Sequence, residues 1–348
     1  MRILMAGDTH MDLEHLQYLV DVASVEADSR VFVLGDFGYW EHVPAGILFL
    51  DKLDGYAGSK GVTVYFLDGN HDKTSMILEQ YAEDADDEGF LRVRERIYYA
   101  PRGHRWTWDG SSFIALGGAY SVDKRQRLRW EHTLGAPAGS SWFPEEEMSD
   151  EDMDRILANG NLVTVILAHD KPRDSEPGWN RKDLDACLPN QERLQRAIEV
   201  LRPCHFFHGH LHHRYTEHME FRAADSRILD VRVHGLDCNP DPRAPDLFDR
   251  QLQSWVIYDT VSRAVVMGGP KDLASDSNDP DWTPYVDSRA GRYAKPMEAE
   301  LAIAIAREYV DEMEYNDDTA HDYCHHRRVI IALLEEIRQL QRLLDPTT

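Results

Sequence analysis

Basic residues are scarce: 38 Lys and Arg stand against 62 Asp and Glu, a formal charge of −24 with His neutral. A chain that grips long nucleic acid through its phosphates carries the opposite imbalance over its contact face, so nucleic acid is the less favoured partner. Cysteine is sparse too. Cys187, Cys204, Cys238 and Cys324 form no C-x-x-C pair, which argues against a disulfide framework or a thiolate zinc site and for a reducing compartment, the cytoplasm. Long apolar runs are also missing. The first one, Ile3 to Gly7, breaks at Asp8, too short for a signal-peptide core or a membrane span, and no membrane partner is expected. What is present, 42% hydrophobic and 10% aromatic residues in 348, suffices for a buried core and suits a globular protein.

Residues 2–7, 31–35, 62–67, 113–117, 162–168 and 204–208 are short β-branched or aromatic runs, most of them ending at Gly or Asp. They read as buried strands. Between them, Leu13 to Val25, Ile47 to Tyr56, Met148 to Leu157 and Leu194 to Leu201 space their apolar residues as helices do, and strand alternating with helix predicts an α/β fold. The runs at 228–236, 253–258 and 263–267 follow one another without helical pattern and predict an antiparallel closing section. Residues 1–269 are therefore expected to be the core domain. Residues 270–296, rich in Asp, Ser, Pro and Gly, read as a linker or surface arm. Over residues 297–348 the spacing of Leu301, Ile305, Tyr309 and Met313, then of Val329, Leu333, Ile337, Leu340 and Leu344, predicts a helical hairpin that docks on the core or joins copies of the chain into a homo-oligomer.

Polar residues fall where these strands end. Asp8 and His10 follow the first, Asp36 the second, Asn70 and His71 the third, His169 the fifth, and His210 and His212 the sixth. Open α/β sheets bind ligands at the carboxyl ends of their strands, where loops from separate strands converge. Carboxylate, imidazole and amide oxygen together suit manganese, iron, zinc or nickel, among which affinity order and availability decide; an all-oxygen calcium shell is not on offer.

Each short motif alone is weak. Five in order carry more: Asp8-Thr9-His10, Gly35-Asp36, Gly69-Asn70-His71-Asp72, Ala168-His169 and Gly209-His210-Leu211-His212. That order resembles the calcineurin-like metallophosphoesterases over residues 2–268. The resemblance implies a sandwich of two mixed β-sheets flanked by helices, to which the C-terminal hairpin would be added. It further implies that Asp8, His10 and His212 hold one divalent ion, that Asn70, His169 and His210 hold a second, and that Asp36 bridges them. Two cations about 3.5 to 4 Å apart need a shared anion and clamp a phosphoryl group, so attack by a bridging hydroxide in line at phosphorus is expected. His71 is expected to assist the leaving group, with Asp72 as its orienter.

After Gly35-Asp36 the chain reads Phe37-Gly38-Tyr39-Trp40, without the Val-Asp-Arg-Gly of the protein Ser/Thr phosphatases. Gly69-Asn70-His71-Asp72 looks more like the phosphodiesterase branch. The stretch from Gly117 to Lys124 resembles a loop of bacterial and phage members, and Arg125, Arg127 and Arg129 behind it either meet a substrate phosphate or form a solvated helix face. Trp40, Trp130, Trp142 and Trp179 either stack on a nucleobase or anchor loops. His208 and His213 read either as bystanders or as residues that back the ligands. The expected function is hydrolysis of a small nucleotide or cyclic-nucleotide phosphodiester. A nuclease or end-processing enzyme is the second reading, and a non-catalytic scaffold that binds metal or phosphate is the third.

Overall fold

The computed structural model describes residues 1–41, 44–134, 139–177, 185–222, 228–241 and 247–268. The predicted linker at 270–296 and hairpin at 297–348 lie outside the described residues. The strands are β1 (Arg2–Ala6), β2 (Arg30–Leu34), β3 (Thr63–Leu67), β4 (Leu91–Arg92), β5 (Ile97–Tyr99), β6 (Arg105–Trp108), β7 (Ser111–Leu116), β8 (Val165–Ala168), β9 (His205–His208), β10 (Tyr215–Arg222), β11 (Ile228–Gly235), β12 (Trp255–Asp259) and β13 (Ala264–Met267). The helices are α1 (Leu13–Glu26), α2 (Pro44–Lys60), α3 (Thr74–Tyr81), α4 (Lys124–Leu134), α5 (Asp150–Leu157), α6 (Leu188–Leu201) and α7 (Leu247–Gln253).

Two mixed sheets result, in the orders β13-β12-β1-β2-β3-β5-β4 and β10-β11-β9-β8-β7-β6. In the first, β1, β2, β3 and β5 run parallel; in the second, β7, β8, β9 and β11 do. Parallel neighbours need crossovers, and the helices supply several of them. The expected antiparallel closing section divides between the sheets. β12 and β13 are antiparallel additions beside β1. β11 instead pairs antiparallel with β10 and lies parallel to β9, in the other sheet.

Side chains alternate across a strand, and here both faces of the central strands are covered. Ile3, Met5, Phe32, Leu34 and Leu67 point between the sheets and meet Phe113, Ala115, Val165, Leu167 and Phe207. Their neighbours Leu4, Ala6, Val31, Val33 and Phe66 face outward onto Leu16, Leu19, Val20, Leu50 and Leu53 of α1 and α2. On the far side Ile166, Phe206 and Val233 pack under Met153, Leu194 and Ile198 of α5 and α6. The layers are helix, sheet, sheet, helix. Phe32 sits in the middle, its ring centroid 6.1 Å from that of Tyr65 and 5.5 Å from that of Trp106. Phe32→Ala is expected to cost about 3 to 5 kcal/mol in urea denaturation of the full chain. Val25→Ala, at an exposed position of α1, is expected to stay within about 0.5 kcal/mol; equal losses would contradict a core between the sheets.

Candidate metal centre

The loops at the carboxyl ends of β1, β2, β3, β8 and β9 meet, and backbone hydrogen bonds lock them together. Thr9 and His10 both donate their N–H groups to the Asp36 carbonyl at 3.2 and 2.7 Å, and Met11 donates to that of Phe37 at 3.1 Å. Asp8 Oδ1 accepts the His210 N–H at 2.8 Å, and Asp36 Oδ1 accepts the His71 N–H at 2.8 Å. Each carboxylate therefore joins two loops besides carrying charge. The packing leaves no room for side chains beneath: a Cβ on Gly209 would fall 2.1 Å from Asp8 Oδ1, and one on Gly69 the same distance from Asp36 Oδ1. His10, Asp36, His210 and His212 have φ of 44°, 45°, 61° and 50°, a left-handed region that costs a non-glycine residue on the order of 1 to 3 kcal/mol.

Hydrogen bonds at the far ring nitrogens decide what the histidines present to the centre. His169 Nδ1 lies 2.8 Å from the Leu34 carbonyl, which only accepts, so Nδ1 carries the proton. In the neutral ring Nε2 is then a lone pair, yet it faces Asn70 Oδ1 at 3.1 Å and Asp36 Oδ1 at 3.5 Å. Three acceptors converge without a donor. His10 repeats the pattern. Asn239 donates through Nδ2 to Asp12 Oδ2 at 3.0 Å, which turns its Oδ1 toward His10 Nδ1 at 3.0 Å. His10 Nε2 is thereby left facing Asp36 Oδ2 at 3.5 Å and Asp8 Oδ2 at 3.9 Å, while His212 Nε2 lies 3.0 Å from Asp8 Oδ2. An array of buried acceptors is stable only around positive charge, either a proton or a metal ion.

The electrostatics agree. Burial alone would lower the His169 pKa, but Asp36 and Asp8 override it and push it up to about 10. Burial would raise Asp36, yet His71 and His169 hold it well below the usual carboxylate range; Asp8 is lowered against burial by His169 and His212. His210, with its ring centroid 5.0 Å from that of His169, is driven down to about 3 by desolvation and then by His169, which leaves it a neutral donor.

Ligand-type atoms of Asp8, His10 and His212 lie within 4.8 Å of one another, and so do those of Asp8, Asp36 and His169. The first group is the set expected for one ion. The second places Asp8, as well as Asp36, beside His169. Imidazole nitrogens with carboxylate and amide oxygens fit an intermediate divalent cation.

His71 stands at the edge of this cluster, its side chain one-fifth exposed and its Nε2 3.8 Å from Asp36 Oδ2. Arg127 lies against it, with Nη2 contacting both ring nitrogens, and is held by Asp123 at 2.9 Å and by the carbonyls of Asn70 and Ser141 at 3.3 and 3.2 Å. The three arginines thus part company. Arg127 is buried, whereas Arg125 and Arg129 are exposed, because residues two apart on a helix lie on different faces. Asp72, expected to orient His71, is engaged otherwise. Its Oδ1 accepts N–H groups of Gly38 and Tyr39, and its Oδ2 those of Phe37 and Gly69, all between 2.8 and 3.1 Å. Those four bonds make it a clasp between the β2 and β3 loops.

Trp142 receives the Lys124 ammonium 4.0 Å from its ring centroid, which occupies that face; Trp179 lies outside the described residues. His208, fully buried, is bonded to the Gly209 carbonyl and the Tyr215 hydroxyl, as suits a residue outside the cluster. Sequence reasoning missed Asn239 and Glu146. Asn239 comes just after β11, so the strand-end rule applied to that run would have found it. Glu146 sits in an irregular stretch with no periodic signal.

The sequence profile of the calcineurin-like phosphoesterases matches residues 1–214. No curated protein matches the chain. Among solved structures, TT1561 of Thermus thermophilus aligns with 12% identity and a TM-score of 0.44, over 77% of this chain and 98% of that one. A novel archaeal phosphodiesterase aligns with 13% identity and a TM-score of 0.36, over 76% and 96%. The phosphopantetheinyl hydrolase PptH of Mycobacterium tuberculosis aligns with 14% identity and a TM-score of 0.35, over 82% and 99%. The profile spans more than half of the 348 residues and includes the loops after β1, β2, β3, β8 and β9, so the chain belongs to the calcineurin-like phosphoesterase family.

Proposed function

We propose that the protein is a phosphodiesterase that hydrolyses small nucleotide or cyclic-nucleotide diesters with the help of two divalent ions, manganese first among them. The observation that carries this reading is the buried cluster of carboxylates and imidazoles around Asp8 and Asp36 with the His71 and Arg127 pair at its edge. Asp8, His10 and His212 would hold one ion, and Asn70, His169 and His210 the other, with Asp36 between them. When bound, the ions supply Lewis acidity to a phosphoryl oxygen and acidify water.

The remaining work belongs to side chains. Arg127 is permanently charged and 3% exposed, and its role is to neutralise one phosphoryl oxygen and set the orientation of the ester. Arg125 and Arg129 are turned to solvent, which leaves Arg127 as the arginine of that run placed beside the cluster. His71, beside Arg127 and outside both clusters of ligand-type atoms, holds the proton that the leaving oxygen requires. The charge of −24 repels a long polyanion beyond the crevice, which favours a small substrate.

The substrate class is tested with the manganese-loaded full chain on bis-p-nitrophenyl phosphate, p-nitrophenyl phosphate, 2′,3′- and 3′,5′-cyclic nucleotides and single-stranded DNA. Diesters and cyclic nucleotides are expected to turn over fastest; turnover of the monoester alone would defeat the diester assignment, and preference for DNA would favour the nuclease reading. Chelation is expected to abolish activity and lower Tm, because ions bound at about a hundred times Kd contribute about 2.7 kcal/mol each. Manganese should restore both, and an unchanged Tm and activity after verified metal removal would count against the metal reading. His71→Asn is expected to keep the wild-type metal content by elemental analysis while kcat falls roughly a hundredfold or more. An unaltered kcat would remove His71 from the mechanism.

A further inference from the structure

We propose that Ser121 and Glu146 form a positioning relay that dictates which atom of the Asn70 amide faces the metal centre, and so governs binding of the ion on the His169 side. The inference rests on the reading of Asn70 as a ligand. It concerns two residues, one in the loop after β7 and one before α5, that have no part in that reading.

An amide can present either its oxygen or its NH₂, and only the oxygen ligates a cation. Asn70 Nδ2 donates to Ser121 Oγ at 3.0 Å. Ser121 Oγ in turn donates to Glu146 Oε2, and the Ser121 N–H donates to Glu146 Oε1 at 3.2 Å. A serine hydroxyl has a single proton. With that proton committed to the carboxylate, Oγ shows Asn70 only lone pairs, so the NH₂ must turn to Ser121 and Oδ1 to His169 Nε2, 3.1 Å away. Flipping the amide would set Oδ1 against Oγ, two acceptors in contact, at a site where all three residues are buried and water cannot repair the mismatch.

The relay is built into the frame. The Glu146 carbonyl accepts the Ala119 N–H at 3.0 Å and Arg102 Nη2 at 3.2 Å. Arg102 also grips Asp68 through Nε and Nη2 at 2.9 and 2.7 Å, and Asp68 lies two residues before Asn70 in the chain. Asp68 further accepts the hydroxyls of Tyr99 at 2.7 Å and Thr74 at 3.1 Å. Glu146 is therefore tied to the same strand end that carries Asn70, and the distance between them is set by buried hydrogen bonds on both sides.

The test is manganese binding by the full chain, measured by equilibrium dialysis with elemental analysis, alongside the Tm of the metal-free protein. Wild type is expected to bind two ions. Ser121→Ala, which frees the amide to turn, should weaken one of the two by about 10- to 100-fold, the usual range for loss of a group that orients a ligand. The other should stay within about threefold, and Ser121→Thr, which keeps a hydroxyl, should restore both, as expected for a hydrogen bond rather than bulk. Glu146→Gln should weaken the same ion by about tenfold, since its NH₂ can donate to Oγ and release the serine proton toward Asn70. This variant decides the matter if Ser121→Ala does not fold. Wild-type affinity for both ions in the folded variants, or equal losses in Ser121→Ala and Ser121→Thr, would overturn the relay. If Asn70→Ala itself left both ions in place, the ligand reading beneath it would fail instead.

Discussion

Two buried carboxylates, Asp8 and Asp36, are the charges around which the rest is arranged. Taking a carboxylate out of water is costly unless positive charge and hydrogen bonds replace the lost hydration. Here one oxygen of each accepts a backbone N–H from a neighbouring loop, from His210 and His71 respectively, and the other faces imidazole nitrogens. The bonds that hold the loops in register are thus made by the groups that create the demand for cations. Loop geometry and metal affinity cannot be altered separately at either residue.

Left-handed backbone at His10, Asp36, His210 and His212 is a cost concentrated in one place, and it persists because the surroundings leave no alternative. The Asp72 carboxylate draws four N–H groups from two loops into one knot. Below that knot the central strands are buried on both faces, so their ends are fixed relative to each other before any ligand is added. Preorganisation of this kind holds carboxylate oxygens and imidazole nitrogens within hydrogen-bonding distance of one another. The local penalty is spread over the whole sandwich.

The loops that meet at the cluster were legible because each follows a short apolar run, and a buried parallel strand is among the plainest signals a sequence contains. Asp8, Asp36, Asn70 and His169 needed no more than that. The edges were less visible: β4 has two residues, and β10, Tyr-Thr-Glu-His-Met-Glu-Phe-Arg, is too polar to read as a strand before its partner is known. Arg125, Arg127 and Arg129 looked alike as a charge run; only the phase of α4 separates them, and that phase is poorly marked because the helix has few apolar residues. Asp72 seemed a partner for its neighbour His71, whereas sequence adjacency in a tight turn sends consecutive side chains in different directions. Glu146 and Ser121 meet across 25 positions through irregular chain, where no period exists to be read.

The two halves of the candidate site rest on different foundations. The metal half hangs from β1, β2, β3, β8 and β9, whose side chains form the apolar core. The half beside His71 depends on α4, where Arg127 and Glu131, four residues apart on one face, are buried, and where polar bonds do the holding. Glu131 accepts the N–H groups of Gly139, Ser141 and Trp142 at 3.2, 2.7 and 2.9 Å, which folds the following chain back along the helix, and the Ser141 hydroxyl donates to the Arg127 carbonyl at 3.1 Å. Side chains on such a segment can change without disturbing the strands. A change in that half would move the Arg127 charge while Asp8, Asp36 and their histidines stayed in place, so the metal motifs announce the chemistry and say little about the molecule on which it acts. Under the proposed function, substrate choice would follow the placement of Arg127 and its supports.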